Sequence, residues 1–198
     1  MTEGHLYHIY NRGINRDLIF LEERNYDFFL KRLNEYLLPH LNLISYCLMP
    51  NHFHLIVKIK ESDVLGNHII DKNKIKKLTC LEKAFRDFFA SYSKAINNAY
   101  NRTGALFQAR FKRKLIDNDS YLTRLIAYVH LNPVRAGLCK YPEEYKYSSY
   151  NAILRDRFTR VSRSIVMDIF GNKKEFLEFH KNYSNEQRER DYLFKNKE

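Results

Sequence analysis

The sequence predicts an α+β fold, a layer of strands covered by amphipathic helices. Segments in which apolar and polar residues alternate, as in strands, are interleaved with longer segments whose apolar residues recur every three or four positions, as in helices. The chain has 198 residues and is 44% hydrophobic, which is enough for one sizeable core. We expect one domain over residues 1–150 and a small helical C-terminal appendage over residues 151–198, whose role the sequence does not indicate.

The first half of the chain is predicted to run strand, helix, strand, strand. Residues 5–10 alternate as a strand does, and a turn is expected at residues 11–13. Helical periodicity covers residues 22–38 and stops at a proline. Residues 41–60 form two apolar runs broken at residues 49–51, which predicts two adjacent antiparallel strands.

The second half is predicted to be mainly helical. Residues 64–77 are rich in lysine and are expected to form an exposed loop or the start of a helix, followed by a long helix over residues 81–100. Basic and apolar residues alternate over residues 105–116, which predicts a strand or extended arm with a cationic face. Two further helices are expected over residues 162–170 and 173–183.

Charge and cysteine content restrict the function classes. The formal net charge of +11 favours a polyanionic partner, because lysine and arginine release the counterions condensed on phosphates. No apolar run approaches the roughly 20 residues of a membrane-spanning helix, so no membrane partner is expected. Cys47, Cys80 and Cys139 are too far apart for a metal knuckle and odd in number, which favours a reducing, cytoplasmic setting.

His52 and His54 are the first candidate site residues. Side chains alternate along a strand, so both imidazoles point to one face, while the opposite face is apolar and can pack on helices. Such a pair can bind one divalent cation, although the same spacing also occurs in histidines that are only solvated. The remaining histidines have no comparable pairing and are expected to be surface or core residues: His5, His8, His40, His68, His130 and His180.

A third helix is predicted to begin at Asp117 or Asp119 and to end at Asn132, because the residue before a proline disfavours helical geometry. Its buried stripe consists of Leu122, Leu125, Ile126 and Val129.

A second stripe on the same helix, at the edge of the core, carries polar groups. It contains Tyr121, Arg124, Tyr128 and Asn132. A tyrosine hydroxyl can attack a phosphodiester but is mostly protonated at neutral pH, so it needs a nearby cation to polarise the phosphate. Spacing alone leaves Tyr128 and Tyr121 as equal candidates and also allows both to be packing residues.

Three blocks together resemble the single-tyrosine HUH transposases, in the branch of the REP-associated tyrosine transposases and their insertion-sequence relatives. They are YHIYNRGINRDLIF, SYCLMPNHFHLIVK and AYVHLNPVRAGL, and they span roughly residues 5–150 in the expected order. The resemblance implies a central antiparallel sheet of the ferredoxin or RRM-like HUH type, with helices packed on it. It also implies that His52 and His54 bind the catalytic metal, Mg²⁺ or Mn²⁺, that Tyr128 is the nucleophile, and that Asn132 is the third ligand.

The reaction implied by this resemblance is the nicking and rejoining of single-stranded DNA. Tyr128 would attack the DNA and give a 5'-phosphotyrosine and a free 3'-hydroxyl, and the substrates would be imperfect hairpins such as repetitive extragenic palindromes. The family is often dimeric, which leaves open a monomer or a homodimer with the tyrosine helix delivered in cis or in trans. Residues expected to contact DNA through phosphates or base stacking are Phe107, Arg110, Phe111, Lys112, Arg113, Lys114 and Arg124.

Three other functions compete with this interpretation. The chain could be a catalytically silent hairpin-DNA-binding protein of the same fold. In such a protein the basic charge alone would suffice for binding DNA. A zinc hydrolase using the same histidines would need a general-base motif such as His-Glu-x-x-His, which the sequence lacks. A rolling-circle replication initiator or relaxase shares the metal chemistry, but this chain is short and contains no helicase-like segment.

Overall fold

The fold was analysed in a computed structural model, which describes residues 1–61, 79–108 and 110–195. The predicted lysine-rich loop over residues 64–77 lies outside the described residues. The strands and helices are β1 (Leu6–Arg12), α1 (Glu23–Tyr36), β2 (Leu41–Met49), β3 (His52–Ile59), α2 (Cys80–Ala99), β4 (Lys112–Ile116), α3 (Asp119–Arg135), α4 (Tyr150–Leu154), α5 (Arg163–Phe170) and α6 (Lys173–Lys195).

The strands form one antiparallel sheet in the order β2-β3-β1-β4. With the chain order β1-α1-β2-β3-α2-β4, this is a ferredoxin-like arrangement, in which β1 and β3 lie at the centre and β2 and β4 at the edges. The predicted α+β fold with a central antiparallel sheet is confirmed. The two strands predicted over residues 41–60 are β2 and β3, and they pair with each other as expected.

Helices α1 and α2 cover one face of the sheet with an aromatic core. Phe29 of α1 packs against Phe53 of β3 and Phe88 of α2, with ring centroids 5.1 and 5.0 Å apart. All three side chains are fully buried. Because Phe53 points to this face, its neighbours His52 and His54 point to the opposite one, where α3 packs against β2.

Strand β1 is longer than predicted. The turn expected at residues 11–13 begins only at Gly13, since Asn11 and Arg12 pair with Phe53 and His52 of β3. Gly13 then permits a close approach of the chain, because a Cβ atom there would overlap the carbonyl oxygen of Asp17.

Helix α3 differs from the prediction at its N-terminus. The N-cap is Asn118, whose side-chain oxygen accepts a hydrogen bond from the backbone N–H of Tyr121 at 3.0 Å, and neither Asp117 nor Asp119 takes that place. Asparagine and aspartate are about equally good caps, so composition alone could not select among three adjacent candidates.

The same helix also continues through Pro133 to Arg135, one turn beyond the predicted end. The turn is stabilised by Gly137, which has a φ of 70° and donates its N–H to the carbonyl of Val134, while Leu138 donates to Pro133. This is a Schellman motif, which satisfies the carbonyls at the end of the helix. Asn132 therefore lies within the last turns of α3 and not at its terminus.

The predicted strand over residues 105–116 is shorter than expected, since β4 contains only its last five residues. The two C-terminal helices were predicted correctly as α5 and α6, and α6 extends to Lys195. The chain beyond α4 packs on the sheet: Val161 bridges Leu43 of β2, and the N–H of Ser162 donates to the carbonyl of Leu43. In the described part of the chain, no helix is long and apolar enough to span a membrane.

Candidate active site

The face of the sheet opposite the aromatic core carries the predicted histidine pair. His52 and His54 lie near the start of β3, and their ring centroids are 5.2 Å apart. The pairing of β1 with β3 places Arg12 opposite His52 and Tyr10 opposite His54. Both imidazoles thus lie on one surface beside side chains of the central strand β1.

Each imidazole of the pair is hydrogen-bonded through its Nδ1 atom. Nδ1 of His52 lies 2.7 Å from the side-chain oxygen of Asn51, and Nδ1 of His54 lies 2.9 Å from Nε2 of His8. Neither Nε2 atom has a hydrogen-bond partner among the described residues. Histidines that bind metals commonly use one ring nitrogen as the ligand and orient the ring through the other, and this pair has that arrangement.

The surroundings keep both rings uncharged. Burial, assisted by Arg12, lowers the pKa of His52 to about 4. Burial lowers the pKa of His54 to about 3, with further contributions from His8, His52 and Arg12. A metal ion requires the neutral imidazole, so the site holds both histidines in the form that can act as a ligand at neutral pH.

Tyr128 of α3 reaches the same surface. Its ring packs edge-on against His54 with centroids 5.9 Å apart, and the guanidinium of Arg135 lies 5.6 Å from the centre of the Tyr128 ring. Tyr121 lies instead beneath Lys114 of β4, whose Nζ is 4.6 Å from the ring centre. Of the two tyrosines that helical spacing could not separate, the structure therefore brings Tyr128 into contact with the histidine pair.

Tyr10 of β1 is a second phenol beside His54, and the sequence did not indicate it. Its ring centroid is 5.9 Å from that of His54 and 4.7 Å from that of His8. Strand alternation places His8 and Tyr10 on one face of β1, but only the pairing of β1 with β3 brings that face beside the histidine pair. This pairing cannot be read from local sequence.

Asn132, predicted as the third ligand, follows Tyr128 by one helical turn. Its side-chain nitrogen is buried and has no hydrogen-bond partner among the described residues. The oxygen and nitrogen of a side-chain amide exchange positions by rotation, so this buried position can present an oxygen to a cation. Among the described residues, no group of three or more His, Cys, Asp or Glu side chains is arranged to hold a metal ion. A metal here would therefore depend on two imidazoles, an amide oxygen and oxygens from outside the protein.

Three of the basic residues predicted to contact DNA lie on the edge strand β4, on both of its faces. Lys112 and Lys114 share the surface of the histidine pair, and Nζ of Lys112 is 6.0 Å from the centre of the Tyr10 ring. Arg113 points to the other face of the sheet. Arg124 is exposed on α3. The predicted cationic face contains Lys112 and Lys114, and Arg113 is not part of it because successive residues of a strand point in opposite directions.

A cavity of about 890 Å³ lies on the side of β4 to which Arg113 points. Its lining includes the other predicted DNA contacts, namely Phe107, Arg110 and Phe111. Phe111 is partly exposed and stacks on Phe85 of α2 at a centroid distance of 4.8 Å, whereas Phe107 is only 8% exposed.

The other histidines were expected to be surface or core residues, and three of them are core residues that also pair with another histidine. His8 contacts His54, as described above. His130 of α3 and His180 of α6 are buried, and Nδ1 of His130 lies 2.9 Å from Nε2 of His180. Helical spacing places one of these residues on each helix, but it does not indicate that the two helices pack together.

Comparison with known proteins supports the resemblance drawn from the three sequence blocks. The chain is 29% identical over 108 residues to a Haemophilus influenzae protein named "Putative REP-associated tyrosine transposase", a match covering 54% of this chain. The match spans 58% of the length of that relative. A solved structure of a REP-associated tyrosine transposase bound to a REP hairpin matches with a TM-score of 0.57 and 16% identity, over 80% of this chain and 85% of the other. No protein-family model matches the chain. The two matches support the family of the REP-associated tyrosine transposases, and the second shows the shared fold.

Proposed function

We propose that this chain is a metal-dependent tyrosine transposase that nicks and rejoins single-stranded DNA at hairpins of the REP type. The observation that carries the proposal is the contact between the Tyr128 ring and His54, which joins a nucleophile on α3 to a neutral histidine pair on β3. The family of the two matched proteins, one of them bound to a REP hairpin, supports the choice of substrate class.

The residues of the site suit a hard divalent cation such as Mg²⁺ or Mn²⁺. His52 and His54 would hold it through Nε2, and Asn132 would supply an amide oxygen. Bound there, the cation would polarise the scissile phosphate and offset the negative charge that develops in the transition state.

Tyr128 acts as the nucleophile in this proposal. Its hydroxyl oxygen forms a bond to phosphorus while the bond from phosphorus to the 3' oxygen breaks. The products are a 5'-phosphotyrosine and a free 3'-hydroxyl, which takes up a proton and can later attack the phosphotyrosine in the reverse direction. Since the energy of the phosphodiester is conserved in the covalent link, rejoining needs no ATP.

The DNA is proposed to pass around the free edge of β4. Lys112 and Lys114 would neutralise phosphates on the active-site surface, and Arg113 and Arg110 would do so on the cavity side. Phe111, which is partly exposed at the cavity, would stack on an unpaired base.

The decisive experiment is to trap the covalent adduct. Purified protein with Mg²⁺ or Mn²⁺ and a cognate hairpin oligonucleotide should give a denaturant-resistant complex, which Tyr128→Phe should abolish while a mobility shift persists. Tyr121→Phe and Tyr10→Phe are the matched controls, because Tyr10 also contacts His54 and Tyr121 lies on the same helix. Both should retain the adduct.

Two outcomes would overturn parts of the proposal. An adduct that survives Tyr128→Phe and disappears in one control would move the nucleophile to that tyrosine. A mobility shift without any adduct, on a proven cognate hairpin, would favour the catalytically silent DNA-binding protein.

A mixing experiment distinguishes a tyrosine that acts in cis from one that acts in trans, if the protein exchanges between monomer and homodimer. Mixing the Tyr128→Phe and His54→Ala variants restores activity only if the tyrosine acts in trans.

A further inference from the structure

We propose that His8 is a positioning residue that fixes the tautomer of His54, so that the Nε2 lone pair of His54 stays available to a metal ion. The inference rests on the proposed metal site and adds a residue to it. His8 lies on a different strand from both proposed histidine ligands.

The placement of His8 is closely defined by the sheet. It is 7% exposed, it lies on the central strand β1, and its ring stacks on His54 with a centroid distance of 5.1 Å. The ring of Tyr10 also stacks on His8, with centroids 4.7 Å apart, and lies 5.9 Å from that of His54. A buried ring held between neighbours has little freedom to turn its Nε2 away from His54.

The hydrogen bond between the rings links their two tautomers. Nε2 of His8 and Nδ1 of His54 are 2.9 Å apart, so one of these nitrogens carries the shared proton. If His54 binds a metal through Nε2, that atom must be unprotonated, and the proton of His54 must reside on Nδ1. His54 then donates, His8 accepts through Nε2, and His8 carries its own proton on Nδ1.

In this assignment His8 accepts through the lone pair on Nε2 of its neutral imidazole. The 2.9 Å separation between Nε2 of His8 and Nδ1 of His54, inside a buried contact, supplies the acceptor for the Nδ1–H of His54.

The arrangement parallels that of His52, whose Nδ1 lies against the side-chain oxygen of Asn51. The side-chain nitrogen of Asn51 donates to the carbonyl of Arg16 at 3.3 Å, which leaves the amide oxygen facing His52. That oxygen accepts, so His52 donates from Nδ1. With His8 accepting from His54, both members of the pair would expose an unprotonated Nε2. Outer partners of this kind typically contribute 10- to 100-fold to metal affinity.

The test is a direct measurement of the His54 tautomer. Long-range ¹H–¹⁵N spectra of the full chain without metal should show Nδ1 of His54 protonated and Nε2 unprotonated. His8→Phe keeps the ring volume but removes the acceptor, and it should shift His54 toward a mixture of tautomers. His8→Gln places an oxygen near the original Nε2 position and should restore the Nδ1-protonated form.

Metal binding provides the second measurement. Titration with Mn²⁺ should show an affinity reduced 10- to 100-fold in His8→Phe and largely recovered in His8→Gln. A wild-type protein in which Nε2 of His54 carries the proton would overturn the inference, as would a His8→Phe protein with unchanged tautomer and affinity. If the wild type binds no Mn²⁺ although the tautomer is as expected, the proposed metal site fails and the positioning by His8 stands.

Discussion

Asn132 is a partly buried residue one helical turn from Tyr128. Its amide nitrogen is buried and has no hydrogen-bond partner among the described residues. A buried polar group without a partner costs on the order of 1–3 kcal/mol. Such a group is retained at functional sites, where stability is commonly lower than it could be. Asn132, the third proposed ligand, is therefore expected to lower the free energy of unfolding of the metal-free protein.

This expectation can be tested with Asn132→Leu, which has a similar volume and no amide. In the presence of a chelator, its free energy of unfolding in urea should rise by about 1 kcal/mol, since an unsatisfied buried group is removed. Its affinity for Mn²⁺ should fall by a factor of about ten or more. Asn98→Leu, an exposed position on α2, is the control and should change neither quantity. A destabilised Asn132→Leu protein would show that the amide is satisfied in solution.

Single residues could be predicted where the chemistry depends on local spacing. His52 and His54 share a face because side chains alternate along any strand, and Asn132 follows Tyr128 by one turn of any helix. His8 and Tyr10 could not be found in this way, because their place beside His54 depends on the register between β1 and β3. That register is set by the whole sheet.

Helix α3 is attached to its neighbours by a buried series of hydrogen-bonded polar side chains. Nε2 of His130 lies 2.7 Å from the hydroxyl of Ser149 and 3.0 Å from that of Ser45 on β2. Its Nδ1 contacts His180 of α6, and Nδ1 of His180 lies 2.7 Å from the carbonyl oxygen of Phe176. The helix that carries Tyr128 is thus fixed to the sheet on one side and to the C-terminal helix on the other.

Acid should loosen this attachment. Burial lowers the pKa of His180 from about 6.5 to about 4, and it lowers the pKa of His130 as well. The contribution of neutral His180 to the free energy of unfolding is complete above about pH 6.5. It is lost as the pH falls towards 4, because in that range only the unfolded chain takes up the proton. Through His180, the free energy of unfolding falls by at most about 1.4 kcal/mol for each pH unit in that window, and His130 acts in the same direction.

Urea unfolding at pH 7.5 and pH 5 measures the effect. His180→Gln, which does not titrate, should lose less stability between these two conditions than the wild type. His5→Gln at an exposed position should behave as the wild type does. An equal loss in His180→Gln would mean that the acid sensitivity arises elsewhere, for example in the buried histidines of the active-site surface.

At the scale of elements, periodicity located the helices and strands well, and the errors are at their ends. Helix α3 passes through Pro133, although proline removes one backbone N–H from the helix, and it ends where Gly137 closes it with a Schellman motif. The contact between α3 and α6 could not be predicted, because helical spacing gives the buried side of each helix without its partner.

At the scale of the whole molecule, the cations of β4 that are proposed to bind DNA lie on both faces of one edge of the sheet. Binding of single-stranded DNA should weaken as salt increases, and each cation that contacts a phosphate adds about 0.7 to the slope of log affinity against log salt. Lys112→Ala and Arg113→Ala, on opposite faces of β4, should each reduce that slope by about this amount. Lys31→Ala on α1 should leave it unchanged.

Phe111→Ala should behave differently from the lysine and arginine variants. Loss of a stacked base weakens binding by about 1–3 kcal/mol at every salt concentration, because no counterion is involved. The slope should therefore stay at its wild-type value while the affinity falls. A reduced slope with unchanged affinity for Phe111→Ala would contradict a stacking role at the cavity.

The distribution of charge illustrates what the sequence could not provide. The alternation of basic and apolar residues correctly predicted an extended segment. Which of its cations lie on the surface of the histidine pair depends on where its regular pairing with β1 begins. In the described part of residues 105–116, the regular ladder with β1 covers Lys112–Ile116. The division of the proposed DNA contacts between the surface of the histidine pair and the cavity follows from that start point and from the position of β4 at an edge.

That edge position has a further consequence for how the protein behaves at high concentration. An outermost strand offers unpaired backbone groups to any passing chain, and a short strand bearing three adjacent positive charges repels an identical copy. Neutralising Lys112, Arg113 and Lys114 together would remove this protection along with the affinity for polyanions. The triple variant should therefore form β-rich aggregates more readily than the parent, and bound DNA should suppress aggregation in the parent by covering the strand.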